Sequence, residues 1–323
     1  MRILVIGGAG YIGSHAAREF LDQGHEVTVY DNFSSGLKEN IFPEEKLIEG
    51  DIMDYPFLLE SMKQGFDAII LLAAFKAVGE SMIQPEKYAV NNISGTINIL
   101  NAAVNSGVKY IIFSSSAAVY GEPQYLPIDE KHPLNPENFY GFTKVEIERL
   151  LGWYDRLKNL RFASLRYFNA CGYDVKGRVT GREKNPANLI PVIMEAACGM
   201  RQEVCIFGND YDTPDGTCIR DYIHVNDLAG GHAAALDYIS RNDKSITVNL
   251  GSETGLSVLQ IVDYARKVTG VNIPSRIDGR RAGDPARLTA SARYALDTLG
   301  WKAQYSDPET LIRTSWNVYR KHI

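Results

Sequence analysis

The chain has 323 residues, of which 45% are hydrophobic and 23% charged, and its formal net charge is −5. This length suits one large core or a main domain plus a smaller one, and the acidic balance argues against a dedicated nucleic-acid-binding protein. No apolar run reaches the ~20 residues of a membrane helix, and no charged-then-apolar leader precedes the first strand, so we expect an unexported, cytoplasmic protein without a membrane partner.

The first half of the chain alternates short, apolar, β-branched runs with segments of helical periodicity. Strands and helices that alternate in this way predict an α/β fold, a doubly wound parallel sheet with helices on both faces. The predicted strands are Ile3–Ile6, Val27–Tyr30, Ala68–Ala73 and Tyr110–Phe113, and the predicted helices are Ser14–Gln23, Pro56–Lys63 and Pro85–Ser106.

The second half has a looser pattern, which predicts a smaller α/β cap. Gly172–Pro186 is rich in glycine and charged residues and is typical of a long functional loop. The elements predicted after it are a helix at Ile190–Gly199, a strand at Val204–Phe207, a turn at Gly208–Gly216, and helices at Val225–Ser240, Ser257–Thr269, Ser291–Leu299 and Asp307–Arg320.

The four cysteines indicate neither a disulfide framework nor a metal site. They include no CxxC pair and no neighbouring histidine cluster, whereas both kinds of site need closer grouping. We therefore expect reduced thiols and no bound metal ion at Cys171, Cys198, Cys205 and Cys218.

A glycine-rich segment, Gly7–Gly13, follows the first strand and runs directly into a helix. A phosphate can approach such a backbone because side chains are absent, and the helix N-terminus offers free N–H groups and a positive dipole end. Its position between a strand and a helix predicts a dinucleotide site. The alternative is a tight turn that binds no ligand.

Asp31 ends the second predicted strand, 18 residues after Gly13. A carboxylate at this position suits the ribose hydroxyls of NAD and repels the 2′-phosphate of NADP, so we favour NAD. Because turn residues follow it, Asp31 could instead cap a turn. Asp51 and Ile52 could receive the adenine, although an ordinary loop aspartate is an equally simple interpretation.

Tyr140 and Lys144 lie four residues apart, where one helix face presents both side chains. The ordinary pKa of a tyrosine is about 10, and nearby positive charges lower it by favouring the phenolate. A core tyrosine with a solvent-exposed lysine is the alternative. Ser114, Ser115 and Ser116 follow another predicted strand, where hydroxyls face the ligand crevice of an α/β sheet or cap the next turn.

Several sequence strings extend this interpretation to a family. GGAGYIG, DN with a following SSG, SSSAAVYG and YGFTK resemble the extended short-chain dehydrogenase/reductase superfamily. The longer strings resemble the UDP-glucose 4-epimerase family more closely, and the resemblance covers essentially the whole chain. These strings are FKAVGES (Phe75–Ser81), RYFNACG (Arg166–Gly172), FGNDYDTPDGTCIRDYIHV (Phe207–Val225) and RRAGDPA (Arg280–Ala286).

The resemblance implies an NAD-dependent isomerase that interconverts UDP-glucose and UDP-galactose by transient oxidation at C4, and a homodimer. It further implies a Rossmann NAD-binding domain over residues 1–170, to which later segments return, and mainly a sugar-nucleotide-binding domain over 171–323. Tyr140 would be the acid/base, Lys144 its electrostatic and ribose partner, and Ser116 the hydroxyl helper. NAD is expected to stay bound and to be regenerated in each turnover.

The family's binding residues correspond to two sets of positions here. The NAD set is Gly7, Gly10, Tyr11, Ile12, Gly13, Asp31, Asn32, Ser35, Gly36, Asp51, Ile52, Leu72, Ala73, Ala74, Lys76, Asn91, Ser114, Ser116, Tyr140, Lys144 and Phe168. The UDP-sugar set is Lys76, Ser116, Tyr140, Asn169, Asn188, Leu189, Phe207, Arg220, Arg281, Asp284 and Leu288. Two arginines suit a diphosphate, although an isolated Arg220 would more often form a surface ion pair.

The chain departs from the family pattern at two positions, and at a third position, Leu288, family members carry either a large Tyr or a smaller residue. Ala118 replaces a common Ser or Thr, so Ser116 has one hydroxyl neighbour fewer, and Thr143 replaces the commoner Ser. Leu288 lies where some members have a larger Tyr, which raises the hypothesis that an N-acetylated sugar also fits. UDP-N-acetylglucosamine and UDP-pentoses therefore stay open as substrates.

Two other functions fit the same residues less well. A sugar-nucleotide 4,6-dehydratase needs a carboxylic acid after the serine position, and Ala117 and Ala118 occupy that stretch. A non-catalytic dinucleotide sensor could lose the Tyr140–Lys144 pair, which is present here. Both observations favour the epimerase.

Overall fold

Seven parallel strands form the central sheet of the computed structural model, which describes residues 1–183, 186–281 and 283–322. The elements up to residue 167 are β1 Arg2–Ile6, α1 Tyr11–Asp22, β2 Glu26–Asp31, β3 Lys46–Glu49, α2 Tyr55–Met62, β4 Ala68–Leu71, α3 Val78–Ser81, α4 Pro85–Tyr88, α5 Gly95–Ser106, β5 Tyr110–Ser116, α6 Phe139–Lys158 and β6 Arg161–Tyr167. Those that follow are β7 Asn169–Cys171, α7 Leu189–Ala197, β8 Val204–Phe207, β9 Ile219–His224, α8 Val225–Asn242, β10 Ile246–Leu250, β11 Gly255–Ser257, α9 Val258–Thr269, β12 Ser275–Asp278, β13 Arg287–Leu288, α10 Arg293–Leu299 and α11 Pro308–Tyr319.

The order of strands in the central sheet is β10-β6-β5-β4-β1-β2-β3. Its strands alternate their side chains between two apolar cores, so both faces are covered. Ile3 and Val5 of β1 face a core shared with α1 and α8. Leu4 and Ile6 face a core shared with α2, α5 and α6. The predicted doubly wound parallel α/β fold is confirmed.

The cap is built around β9. This strand pairs in parallel with β7 and β13 and antiparallel with β11, and β8 pairs with β12 in a separate ribbon. Helices α7, α9 and α11 bury apolar residues in a third core beside these strands. Because β7 follows β6 directly, the cap begins where the central sheet ends, and β10 later returns the chain to that sheet.

Several strands differ from the sequence prediction. Three strands of the central sheet, β3, β6 and β10, are not among the predicted strands. Lys46 and Glu49 leave only two apolar residues in β3, and Arg166 and Asn249 interrupt the apolar pattern of β6 and β10. The short strands of the cap other than β8 were also not predicted. The predicted strand Ala68–Ala73 ends at Leu71, and the predicted strand Tyr110–Phe113 continues to Ser116, because β5 stays paired with β6 up to Ser116 and Tyr167.

The predicted helices agree more closely, with ends that differ by at most three residues. The exception is Pro85–Ser106, in which a π-helical turn at Ala89–Ser94 separates α4 from α5. Of the predicted loop Gly172–Pro186, the described residues form neither a helix nor a strand, and Lys184 and Asn185 lie outside the described residues.

Three further observations concern the described ranges alone. No helix in them is both long and apolar enough to cross a lipid bilayer. The same ranges contain no group of three or more histidine, cysteine or acidic side chains arranged to hold a metal ion. All four cysteines lie within these ranges and are free thiols.

Candidate active site

A cleft opens at the carboxyl ends of β1, β2, β4 and β5, which is where ligands bind in open α/β sheets. Most of the residues predicted to bind NAD line it. They are Gly7, Gly10, Tyr11, Ile12, Gly13, Asp31, Asn32, Ser35, Ile52, Leu72, Ala73, Ala74, Lys76, Asn91, Ser114, Tyr140 and Lys144. The walls of this cleft do not include the other four predicted residues, which are Gly36, Asp51, Ser116 and Phe168.

The glycine-rich turn leaves its backbone bare at the floor of the cleft. Gly7 has φ of 85°, and a Cβ there would lie 2.7 Å from the backbone nitrogen of Ala73. A Cβ at Gly13 would collide with the carbonyl oxygen of Gly7. Gly10 caps α1 without any side-chain hydrogen bond, so the first N–H groups of the helix face the cleft unmasked. This arrangement fits a diphosphate.

Asp31 lies at the end of β2 with its carboxylate almost buried. The backbone N–H groups of Ala9 and Phe33 donate to it, at 2.9 and 2.8 Å. Burial raises the pKa of Asp31, and these two hydrogen bonds act in the opposite direction. Each carboxylate oxygen keeps a second lone pair, so Asp31 both fixes the turn and can accept from a ribose hydroxyl.

The Asp51 carboxylate has partners of its own beside the cleft. It accepts from Asn32 Nδ2 at 2.9 Å and from the Met53 N–H at 2.8 Å. Its neighbour Ile52 does line the cleft. The carboxylate thus ties two loops together, and the apolar Ile52 side chain is the part that faces a ligand.

Tyr140 and Lys144 line the other end of the cleft, and Ser116 lies next to Tyr140. Asn138 caps α6 by accepting from the Gly141 N–H at 2.8 Å, which places Tyr140 in the first helical turn. Lys144 Nζ donates to the Ser114 carbonyl at 2.7 Å and lies 5.5 Å from the centroid of the Tyr140 ring. The positive helix end and the ammonium both favour a negative charge on Tyr140.

Burial opposes charge at both of these side chains. It raises the pKa of Tyr140 to about 12, and a hydrogen bond with Ser116 acts to lower that pKa. Burial also lowers the pKa of Lys144 to about 7, while the Glu148 carboxylate acts to raise it. The Ser116 hydroxyl in addition accepts from the Ala118 N–H at 3.2 Å. A tyrosine hydroxyl, an ammonium and a serine hydroxyl therefore share one desolvated corner.

Arg220 lies on β9 of the cap, where it is almost buried. It donates to the Pro285 carbonyl at 2.7 Å and pairs with Asp284 at 3.3 Å. The adjacent Arg281 stacks its guanidinium over the Phe207 ring, 3.9 Å from the centroid. The cap thus brings together four of the residues predicted to bind UDP-sugar.

The remaining predicted substrate residues lie between the cap and the sheet or at the start of a cap helix. Leu288 packs against a cluster that includes Phe168 and Val145, the latter on α6. Asn169 donates to the Asp221 carbonyl at 2.9 Å. Asn188 and Leu189 begin α7, with Leu189 packed on the cap core.

Several residues that the sequence did not single out complete the cleft. Asn40 donates to the Ala9 carbonyl and accepts from the Gly181 N–H, both at 3.1 Å. Glu183 forms an ion pair with Lys76. Tyr167 donates a hydrogen bond to the Ser114 hydroxyl. No local pattern could have found Asn40 or Glu183, because their partners are distant in the chain.

Comparison with known proteins agrees with the family resemblance of the sequence strings. Residues 3–251 match the family described as NAD dependent epimerase/dehydratase. The UDP-glucose 4-epimerase of Lacticaseibacillus casei is 45% identical over 324 residues, which span 100% of this chain and 98% of that protein. The crystal structure of UDP-glucose 4-epimerase from Brucella ovis in complex with NAD is 42% identical with a TM-score of 0.96, over 98% of both chains.

A second solved structure is similar over the same length. It is UDP-glucose 4-epimerase from Bifidobacterium longum in complex with NAD+ and UDP, 38% identical with a TM-score of 0.93, over 100% of this chain and 99% of that one. The chain therefore belongs to the NAD-dependent epimerase/dehydratase family, as its sequence strings imply.

Proposed function

We propose that this protein is a UDP-glucose 4-epimerase, an isomerase that interconverts UDP-glucose and UDP-galactose with bound NAD. The observation that carries the proposal is the corner where Lys144 Nζ lies 5.5 Å from the centroid of the Tyr140 ring and Ser116 acts to lower the pKa of Tyr140. A base there can act on a sugar hydroxyl, while the arginines of the cap can hold the attached diphosphate.

We propose that residues 1–170, with later segments that return to the sheet, hold NAD tightly. The fit is supported by the bare turn at Gly7 and Gly13, where a Cβ would strike backbone atoms. The Asp31 carboxylate suits the adenosine ribose, and Lys144 suits the nicotinamide ribose. The chemistry that NAD supplies when bound is reversible acceptance of a hydride from C4 of the sugar.

We propose that residues 171–323 mainly bind the UDP-sugar. Arg220 and Arg281 would contact the diphosphate with their planar donor sets. Phe207, over which Arg281 stacks, offers a flat apolar surface to the uracil. Because the nucleotide would supply most of the binding energy, the sugar can be held loosely enough to present either face.

The proton steps would belong to Tyr140. Its phenolate takes the proton of the 4-hydroxyl as the sugar is oxidised to a 4-keto sugar, and Ser116 hydrogen-bonds the same oxygen. After the keto sugar has turned within the cleft, Tyr140 returns the proton to the oxygen on C4. Lys144 stabilises the phenolate by its charge in the interval.

The direct test is to incubate the purified holoprotein with UDP-galactose and follow UDP-glucose by proton NMR. We expect equilibration of the two sugars, and we expect Tyr140→Phe to abolish it while bound NAD and UDP affinity persist. Normal turnover by Tyr140→Phe would refute Tyr140 as the base. Release of a 4-keto-6-deoxy sugar would instead support a dehydratase, for which Ala117 and Ala118 supply no acid.

We propose that the protein is a homodimer. Exposed apolar side chains lie on the helical segments 85–106 and 139–158, including Val90, Trp153 and Leu157, the last with 69% of its surface exposed. A second copy would cover them. Analytical ultracentrifugation should show a dimer, and Trp153→Glu with Leu157→Glu should give a monomer of unchanged fold.

We also propose that the protein acts in the cytoplasm, in galactose metabolism. The four free thiols support a reducing compartment. Cell fractionation followed by immunoblotting tests the location, and loss of growth on galactose in a deletion strain tests the metabolic role.

A further inference from the structure

A buried ion pair lies behind the Tyr140–Lys144 pair and outside the cleft walls. Glu148 follows Lys144 by one turn of α6. Its carboxylate accepts from Arg166 Nε at 2.9 Å and from Arg166 Nη2 at 2.6 Å. The two side chains are only 8% and 7% exposed, so the pair is almost completely removed from solvent.

The pair is connected to the strand end that holds the catalytic corner. Glu148 Oε1 also accepts from the Ser115 hydroxyl at 2.6 Å. Ser115 lies between Ser114, whose carbonyl accepts from Lys144, and Ser116, whose hydroxyl is the partner of Tyr140. Helix α6 and strand β5 are thus bonded on both sides of Lys144.

Arg166 forms an ion pair with Glu148, and this pair takes the place of one that Glu148 could form with Lys144, one helical turn away. Its third nitrogen, Nη1, donates to the Tyr120 hydroxyl at 3.1 Å, and Tyr120 in turn donates to Asn249 at 2.6 Å. This network holds the guanidinium in place. Among the described residues no carboxylate lies within 4.0 Å of Lys144 Nζ, although Glu148 is one helical turn away.

We infer that Arg166 is a positioning residue that neutralises Glu148 and thereby leaves the Lys144 ammonium free to act on Tyr140. This inference rests on the proposed function only for the role of the Lys144 charge in catalysis. The arrangement of charges stands by itself: a cation, Arg166, holds an anion, Glu148, that would otherwise be an unpaired charge beside the lysine.

The buried tyrosines near this corner stay uncharged near neutral pH. Tyr167 of β6 and Tyr88 of α4 both interact electrostatically with Tyr140, and burial raises the pKa of each well above its ordinary value. Burial likewise raises the pKa of Tyr120, to about 12. Across the cleft, Lys76 and Glu183 neutralise each other. Glu130, which accepts from the Asn249 N–H at 2.7 Å, also acts on Arg166, and burial raises the pKa of Glu130. The charges that act most directly on Lys144 are those of Glu148 and Arg166.

The test deletes each charge alone and then both, in Arg166→Met, Glu148→Gln and the double variant. The Lys144 pKa is read by NMR of [ε-¹³C]lysine-labelled holoprotein, with the resonance identified by its loss in Lys144→Arg. Arg166→Met should raise this pKa by about one unit, because an unpaired anion favours the ammonium. Glu148→Gln should lower it by a similar amount, because an unpaired cation disfavours the ammonium. The double variant should return it to the wild-type value.

The pH profile of kcat gives a second readout. The limb that reports Tyr140 ionisation should move to higher pH in Arg166→Met and to lower pH in Glu148→Gln. Because the double variant removes both members of the ion pair, it leaves neither as an unpaired buried charge, so it should fold even where the single variants do not. In it, kcat should stay within about threefold of wild type, since the amide oxygen introduced by Glu148→Gln can still accept from Ser115.

Arg161→Met is a matched control, because Arg161 also belongs to β6 and pairs with Asp155 of α6 at 2.8 Å. It should leave the Lys144 pKa unchanged. The inference would be overturned if the Lys144 pKa shifted in the same direction in both single variants, or if the double variant folded but had lost kcat. The Arg166–Glu148 pair would then have only a structural role. If the Lys144 pKa shifts as expected but the wild-type protein has no epimerase activity, only the proposed function is refuted.

Discussion

The Lys144 ammonium donates to the Ser114 carbonyl at 2.7 Å, and its nitrogen lies 5.5 Å from the centroid of the Tyr140 ring. A carbonyl orients an ammonium without neutralising it, whereas a carboxylate would do both. The charge of the lysine, when it is protonated, is therefore not neutralised by its hydrogen-bond partner and acts on the tyrosine.

Replacement of this charge should slow the reaction and move its pH dependence. We expect Lys144→Met to lower kcat by about 100-fold or more. We also expect the Tyr140 limb of the kcat profile to move to higher pH, because the phenolate loses its stabilising cation. Steady-state kinetics between pH 6 and 10 measure both effects. Lys158→Met, at the exposed end of the same helix, should change neither; an unshifted limb in Lys144→Met would contradict the electrostatic role.

The glycine turn should tolerate no side chain at its helical end. A Cβ on Gly13 would lie 2.8 Å from the Gly8 Cα and would collide with the Gly7 carbonyl oxygen. We expect Gly13→Ala to purify without NAD, as judged by the absorbance ratio at 260 and 280 nm. Gly230→Ala is the matched control within a helix, since a Cβ there meets nothing within 4 Å. It should keep NAD and raise the free energy of unfolding by about 0.5–1 kcal/mol.

Buried histidines should make the fold sensitive to acid. Burial lowers the pKa of His15 and of His232 to about 4 and that of His224 to about 3. Between pH 6.5 and about 4 the unfolded chain then binds more protons than the folded one, so the free energy of unfolding falls as the pH falls.

His232 offers the simplest measurement of this effect, because its Nδ1 bonds only within its own helix, to the Leu228 carbonyl at 2.7 Å. His232 should account for about 3 kcal/mol of the free energy of unfolding that is lost by pH 4. Urea unfolding at pH 7.5, 5.5 and 4.5 should therefore show a smaller pH dependence in His232→Phe than in wild type. An equal dependence in the two proteins would show that His232 does not titrate on unfolding.

Leu288 should control the width of the sugar pocket. It packs beside Phe168 on the cluster between cap and sheet, and its backbone pairs with that of Arg220. We expect wild type to turn over UDP-N-acetylglucosamine as well as UDP-glucose, and Leu288→Tyr to lower kcat/KM for the acetylated sugar alone by about tenfold or more. A wild-type protein inactive on UDP-N-acetylglucosamine would remove the hypothesis.

The sequence predicted the fold class, and it predicted in detail those parts of the fold whose geometry is local. A strand, a glycine turn and a helix follow one another within residues 2–22, and Tyr140 and Lys144 are related by the pitch of a single helix. Their geometry is set by neighbouring residues, so the pattern was sufficient. Strands β6 and β10 escaped prediction because their polar residues, Arg166 and Asn249, are buried among partners from elsewhere in the chain.

The contacts that complete the site are long-range and could not be read from a pattern. Asn40 bonds to Gly181, which is 141 residues away, and Lys76 pairs with Glu183, which is 107 residues away. The bond between Ser115 and Glu148 joins a strand to a helix 33 residues later. Each depends on the finished topology, in which the segment after β7 crosses back over the turn after β1.

The two hydrogen bonds of Asn40 have a consequence for the residence time of a molecule bound in the cleft. The amide joins the glycine turn, through Ala9, to the segment that contains Gly181. Because Asn40, Gly181 and Glu183 all line the cleft, we expect a molecule bound there to leave more readily when these hydrogen bonds break. Its residence time would then follow the rate at which the Gly181 amide exchanges with solvent, and it would shorten in Asn40→Ala even though Asn40 holds no part of the catalytic corner.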